Sequence, residues 1–139
     1  MAIKNGLCAS YVAEALRGLH GEDDIYKIAL YAPGASISSE TTSYTGRGEV
    51  SGLGYTAGGM ALEGFTVRAH RGVVTVDFND AVWPVATLRA AGALVYNSSS
   101  GNRAVCVMDF GQEVASTNGP FKVIMPASGP DTSLIAIEF

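Results

Sequence analysis

Leu88-Arg89-Ala90-Ala91-Gly92-Ala93-Leu94-Val95-Tyr96, then Asn97-Ser98-Ser99-Ser100-Gly101-Asn102, then Ala104-Val105-Cys106-Val107-Met108-Asp109-Phe110, is the stretch that decides the fold class. Two β-forming runs flank a cluster of Asn, Ser and Gly, the residue types that permit a chain reversal. In the second run Ala104, Cys106, Met108 and Phe110 recur at every other position and so share one face, the period of a strand. The stretch predicts two strands joined by a turn.

The same period holds outward in both directions. Toward the C-terminus, Gly119 to Met125 reads as a strand with Phe121 and Val123 inward, stopped by Pro126, and Leu134 to Phe139 closes the chain with strong β-formers. Toward the N-terminus, Asn79 to Pro84 reads as a loop or bulge carrying the single Trp83. Before it, Val74, Val76 and Phe78 face one way, after a turn at Arg71-Gly72. Ala61 to His70 alternates with Phe65 and Val67 on its apolar face. Ile25 to Ala32 (IYKIALYA) reads as a well-buried strand, ended by Pro33-Gly34. Between them Ala35 to Gly59 is rich in Gly, Ser and Thr, a length of loop that is usually functional or hides short strands. An extended piece is expected around Tyr44 to Val50.

One helix precedes all this. Cys8, Tyr11, Val12, Ala15, Leu16 and Leu19 follow the spacing of a single apolar face, with Asn5 as N-cap, Gly18 and Gly21 as terminators, and Glu22-Asp23-Asp24 as an exposed turn. Parallel sheets need helical crossovers, and no helix pattern follows the first. The expected fold is therefore mainly all-β: one domain over residues 1–139, an antiparallel β-sandwich or jelly roll with one N-terminal helix. The helical segment takes residues 1–21, the sandwich residues 25–139, and the long loop residues 33–59.

Composition narrows the function. Of 139 residues, 47% are hydrophobic and only 16% charged, against about 25% in globular chains at large. A surface so poor in charge points to partner proteins covering part of it. Nine dispersed basic residues and a net charge of −4 argue against nucleic acid as partner, since that affinity comes from clustered Lys and Arg. The one basic group, Arg68, His70 and Arg71, reads as a solvated strand end. Cys8 and Cys106 lack any metal or disulfide-framework spacing and read as buried free thiols. No apolar run suggests a signal peptide or a membrane partner, so folding is expected in a cytoplasm.

Chemistry is sparse. His20 and His70 have no neighbours at metal-ligand spacing. Asp77, Asp80 and Asp109 lie near strand ends. A glycan hydrolase would need two of them to face each other, yet Asp77 and Asp109 each precede a core-type Phe and are expected on outer faces. There is no G-x-S-x-G elbow, and Gly46-Arg47-Gly48 and Gly52-Leu53-Gly54 do not continue into a phosphate loop. The expectation is a protein that is not an enzyme, with no catalytic residue, cofactor or metal.

Tyr26-Lys27-Ile28-Ala29-Leu30-Tyr31, followed by a Ser/Thr-rich stretch and then Glu49-Val50-Ser51-Gly52-Leu53-Gly54-Tyr55-Thr56-Ala57-Gly58-Gly59, resembles a pattern of small tailed-phage virion proteins. Ala91 to Asn97, Asp109-Phe110-Gly111 and Ser116 to Gly119 add to it. In size and make-up the chain resembles the cementing (decoration) protein of Bordetella phage-type capsids. That resemblance implies a jelly-roll homodimer on the outer surface of an HK97-like shell, clamping neighbouring major capsid proteins. A tail or head-fibre component with the same sandwich is the alternative, and a glycan hydrolase the remote one. The virion would then be its location, after folding in the host cytoplasm.

Candidate contact residues are the loop aromatics Tyr44, Tyr55 and Trp83, and the N-terminal segment from Met1 to Leu19 with Tyr11 and Leu16. Each has a second reading: the aromatics tucked over the sandwich end, the helix packed on its own sheet.

Overall fold

The computed structural model describes residues 6–21, 23–70, 72–125 and 135–138. It is mainly β, in two antiparallel sheets with one short helix. The larger sheet has the order β1 (Gly6–Leu7), β7 (Arg103–Val123), β6 (Ala81–Asn97), β2 (Tyr26–Tyr31) and β3 (Met60–Ala61). The smaller has β4 (Thr66–His70), β5 (Val73–Asp77) and β8 (Ile135–Glu138). Helix α1 (Ala9–Leu16) packs against β7.

The hairpin expected from Leu88 to Phe110 is the spine. Leu94 sits opposite Val107 and Val95 opposite Cys106, and β2 lies on the other side of β6, from Tyr26 opposite Asn97 to Tyr31 opposite Gly92. Ile28, Ala29, Leu30 and Tyr31 are all buried. Four consecutive buried residues mean that β2 is covered on both faces, which is why IYKIALYA reads as a run and not as an alternation. Stacked rings carry the core from one sheet toward the other. Tyr26 lies flat on Phe65 at 4.9 Å between centroids, and both meet Phe78 just past β5.

The structure corrects several boundaries. Of the two readings of Asn79 to Pro84, loop or bulge, the bulge fits: from Ala81 the stretch belongs to β6, with Trp83 opposite Phe121 and an irregularity directly after it. Pro84 is tolerated there because the register slips between Trp83 and Ala86, so no ladder bond is demanded of it. The strands expected at Ala104 to Phe110 and Gly119 to Met125 are parts of one long β7. Gly111 and Asn118, both at positive φ, make irregularities within it. Ala61 to His70 splits into β3 and β4, and Val67 is left largely exposed while Phe65 packs inward. Asp77 is buried, against the expectation of an outer face. Thr75, Val76, Asp77 and Phe78 are all buried, so both faces of this segment are covered and alternation no longer tells in from out.

The helix is shorter than expected and turned. A short strand, β1, precedes it, Cys8 takes the N-cap position, and Gly18 at φ 80° ends it. Asn5, Glu22, Arg71 and Pro126, and the outermost residues of the terminal segments, lie outside the described residues. Tyr11 and Glu14 face inward, whereas Leu16 is 86% exposed. Glu14 is held inward by Arg103 and His20, and Leu16, two residues on, falls on the opposite side of the helix. Cys8 and Cys106 are buried free thiols. Burial pushes Cys8 up to about 11 and Cys106 further in the same direction, so neither supplies a thiolate near neutral pH.

Candidate functional site

Residues 33–59 have no helix and no strand of a named sheet, yet they lie flat across the large one. The Ala32 amide donates to the Gly48 carbonyl and the Val50 amide to that of Leu30, which holds the middle of the loop beside β2. Farther on, the Thr87 amide of β6 donates to the Leu53 carbonyl at 3.0 Å. Two glycines make this approach possible. Gly54 and Gly59 both have positive φ, and a Cβ on either would collide with a carbonyl oxygen, that of Val85 or that of Ile28.

A single carboxylate ties the loop together. Glu49 accepts from the Tyr44 hydroxyl at 2.5 Å on Oε1, and from the Tyr55 hydroxyl and the Gly58 amide on Oε2. The Tyr55 hydroxyl in turn accepts from the Leu30 amide, and the Tyr96 hydroxyl donates to the Gly58 carbonyl. The loop is thereby anchored to β2 and β6. Burial, and then the bond to Glu49, push the Tyr44 hydroxyl up to about 12 and that of Tyr55 higher still, so both remain donors at neutral pH. At the apex between these anchors Leu53 is 78% exposed, and Val85, whose carbonyl lies over Gly54, is 62% exposed.

The other end of β6 carries a second held segment. The Glu14 carboxylate takes Nη1 of Arg103 at 2.8 Å and Nε2 of His20 at 3.0 Å. Nδ1 of His20 faces the Asn97 amide nitrogen, which also donates to Asp24. Ser99 donates its amide to the Asn97 side-chain oxygen, which fixes the amide's orientation. With Nδ1 accepting, Nε2 carries the hydrogen toward Glu14. Burial opposes the charge of Glu14, but the bonds from His20 and Arg103 outweigh it and hold the carboxyl below its usual range. The Gly21 amide, then Asn97, do the same for Asp24. Around this network stand Leu16, Leu19 and Ile25, the last 54% exposed. Leu19 and Ile25 are both hydrogen-bonded to the serine turn after β6, which makes them neighbours.

Of the residues singled out from sequence, Tyr44 and Tyr55 are half-buried and come together on Glu49. Trp83 lies in the core, 5.9 Å from the Tyr55 ring and 6.2 Å from that of Phe121. Tyr11 is also in the core, against His20. Leu16 is free on the surface. Glu49, Leu53, Val85 and Ile25 were missed. Gly-Leu-Gly was a usable signal, because an apolar residue between two glycines in a polar loop has no core position to occupy.

Two concavities accompany these features. An open cleft of about 630 Å³ lies between residues 33–36 and 45–48, with Arg47 in its wall. An apolar groove of about 200 Å³ runs past Met108, Phe110, Val114 and Ile124. Among the described residues no group of three His, Cys, Asp or Glu is placed to hold a metal ion. Asp77 and Asp109 belong to different sheets. Comparison with protein-family models, with curated proteins and with solved structures returned no match.

Proposed function

We propose that the chain is a phage capsid cement (decoration) protein, which binds the outer surface of the shell and clamps neighbouring major capsid proteins. The supporting observation is the pair of exposed apolar patches, Leu53 with Val85 and Leu16 with Leu19 and Ile25, toward opposite ends of β6. From Val85 to Asn97 the strand covers roughly 35–40 Å at about 3.3 Å per residue, too far apart for one small contact to cover both. Each patch is well short of the ~800 Å² per partner of a standard interface. A single contact is therefore weak, and two contacts on a repeating surface gain by effective concentration.

The low charge of the chain supports the same reading, as does the resemblance of its EVSGLGYTAGG stretch to phage virion proteins. The reading of the two sheets as a jelly roll, and of the protein as a homodimer at the virion surface, belongs to this proposal. So does a role without catalysis.

A cryo-electron-microscopy map of the particle that carries the chain tests it. Copies bridging joints between capsid subunits, with Leu53 and Leu16 in contact, are the expected result. Density confined to a tail or fibre, or absence from the particle, would overturn the cement reading.

A further inference from the structure

Leu53 is displayed by a loop that has little reason of its own to keep one shape. Residues 33–59 form no named helix or strand, and an apolar tip gains nothing by staying in water. Something must hold both legs of the apex. Glu49 stands before it, Tyr55 and Gly58 stand after it, and Tyr44 comes from the start of the motif. One carboxylate accepts from all three of these partners. The connections beyond it reach β2 through the Leu30 amide and β6 through Tyr96.

The donors are all neutral. Among the described residues no ion pair includes Glu49. A carboxylate out of bulk water is stable only when its lone pairs are filled, and here two hydroxyls and an amide fill them. The reverse is equally binding: without the carboxylate, the Gly58 amide and the Tyr55 hydroxyl lose the acceptor that fixes their place. Of the other loop contacts, the Tyr55 amide closes the apex itself onto the Gly52 carbonyl at 3.3 Å and the Thr87 amide holds Leu53, but neither reaches back to Tyr44 or on to Gly58.

We infer that Glu49 is the positioning residue of a docking loop: it touches no partner itself, and pre-organises Leu53 and its neighbours for contact with a protein surface. This rests on reading Leu53 as a contact residue, and it assigns the affinity of that contact to a residue hidden beneath it. Order established before binding need not be paid for on binding. Substitution of Glu49 thus weakens docking without removing any contact atom.

The test combines Glu49→Ala, Glu49→Gln and Leu53→Asp with amide hydrogen exchange, Trp83 fluorescence and co-sedimentation with phage shells. Trp83 is the only Trp and lies beside Tyr55, so its emission reports movement of that ring. Glu49→Ala is expected to speed exchange of the amides over residues 51–58 about tenfold or more, to shift Trp83 emission, and to leave the β6–β7 amides unchanged. Shell affinity should fall about tenfold, and by no further factor when Leu53→Asp is already present. Glu49→Gln should recover part of each effect, because its side chain can still exchange hydrogen bonds with tyrosine hydroxyls.

Exchange over residues 51–58 that stays within about twofold of the parent would overturn the assignment. So would a loosened loop that docks with undiminished affinity. If Glu49→Ala unfolds the whole chain, Glu49→Gln decides: faster exchange confined to the loop supports the assignment, unchanged exchange overturns it. If the parent protein binds no shell, the docking reading falls, while the exchange data still decide whether Glu49 holds the loop.

Discussion

The long loop and the helix segment solve one problem by different chemistry. Each is fastened by a carboxylate toward the Gly92–Asn97 part of β6, and exposed apolar side chains stand out from it. Glu49 is held by tyrosine hydroxyls and an amide, with no cation paired to it among the described residues. Glu14 is held by Arg103 and His20, with Asp24 and Asn97 behind them. Neutral donors work over short distances and depend on geometry. The charged Arg103 acts farther, and its pair with Glu14 responds to salt and to acid. The loop end should therefore be stiff and indifferent to conditions, and the helix end adjustable.

The largest effect should come from the backbone of the loop end. Gly59→Ala forces a side chain into left-handed geometry and onto the Ile28 carbonyl, and Gly54→Ala does the same against Val85. A loss of about 3 kcal/mol or more is expected from either in denaturant unfolding. A cost under about 1 kcal/mol would mean that the loop does not lie on the sheet as closely as described.

Next come the two carboxylates. Glu49→Ala takes the acceptor from a half-buried amide and hydroxyl and should cost about 1–3 kcal/mol. Glu14→Ala should cost at least as much, about 2–3 kcal/mol, because half-exposed Arg103 can turn to water but the wholly buried His20 loses its acceptor. A cost under about 1 kcal/mol would mean that His20 finds another acceptor.

Acid and salt sharpen the comparison further. Glu14 and Asp24 have folded-state pKa values below their ordinary values of 4.5 and 3.8. Their contribution is thus complete above those values and is lost as pH falls through the folded ones. Glu14→Gln should flatten the acid limb of a stability profile, and added salt should weaken the parent more than this variant. The tyrosines work in the opposite direction. With Tyr44 raised from 10.0 to about 12, its contribution is complete below pH 10 and declines as pH rises toward 12. Thermal melts across pH check both limbs.

Sequence reading went far with the hairpin, because the period of two is a local property and the Asn97 to Asn102 cluster marks the reversal. It went less far where a residue's direction depends on distant partners. Leu16 fits the apolar stripe of a helix, but Glu14 takes the inward place, and its partner Arg103 lies eighty-nine residues beyond it. Trp83-Pro84 reads as a loop or bulge because proline is rare inside sheets, and the strand partner that decides for the bulge, Phe121, is distant in the chain. The long loop shows its glycines plainly. That Tyr44 and Tyr55 turn inward is one of the two readings the sequence offered; what was not legible is their common acceptor, Glu49, which looks like any surface acid until the loop closes round it.

The smallest expected effect on folding is also the most telling for function. Leu53→Asp and Leu16→Asp alter exposed side chains and should change stability by no more than about 0.5 kcal/mol. Co-sedimentation of the parent and these two variants with phage shells, at equal concentration and verified fold, is the direct test of two-ended docking. Either substitution alone should reduce binding about tenfold or more, and the pair should abolish it. Binding of both variants at the parent's level would contradict the two-ended clamp.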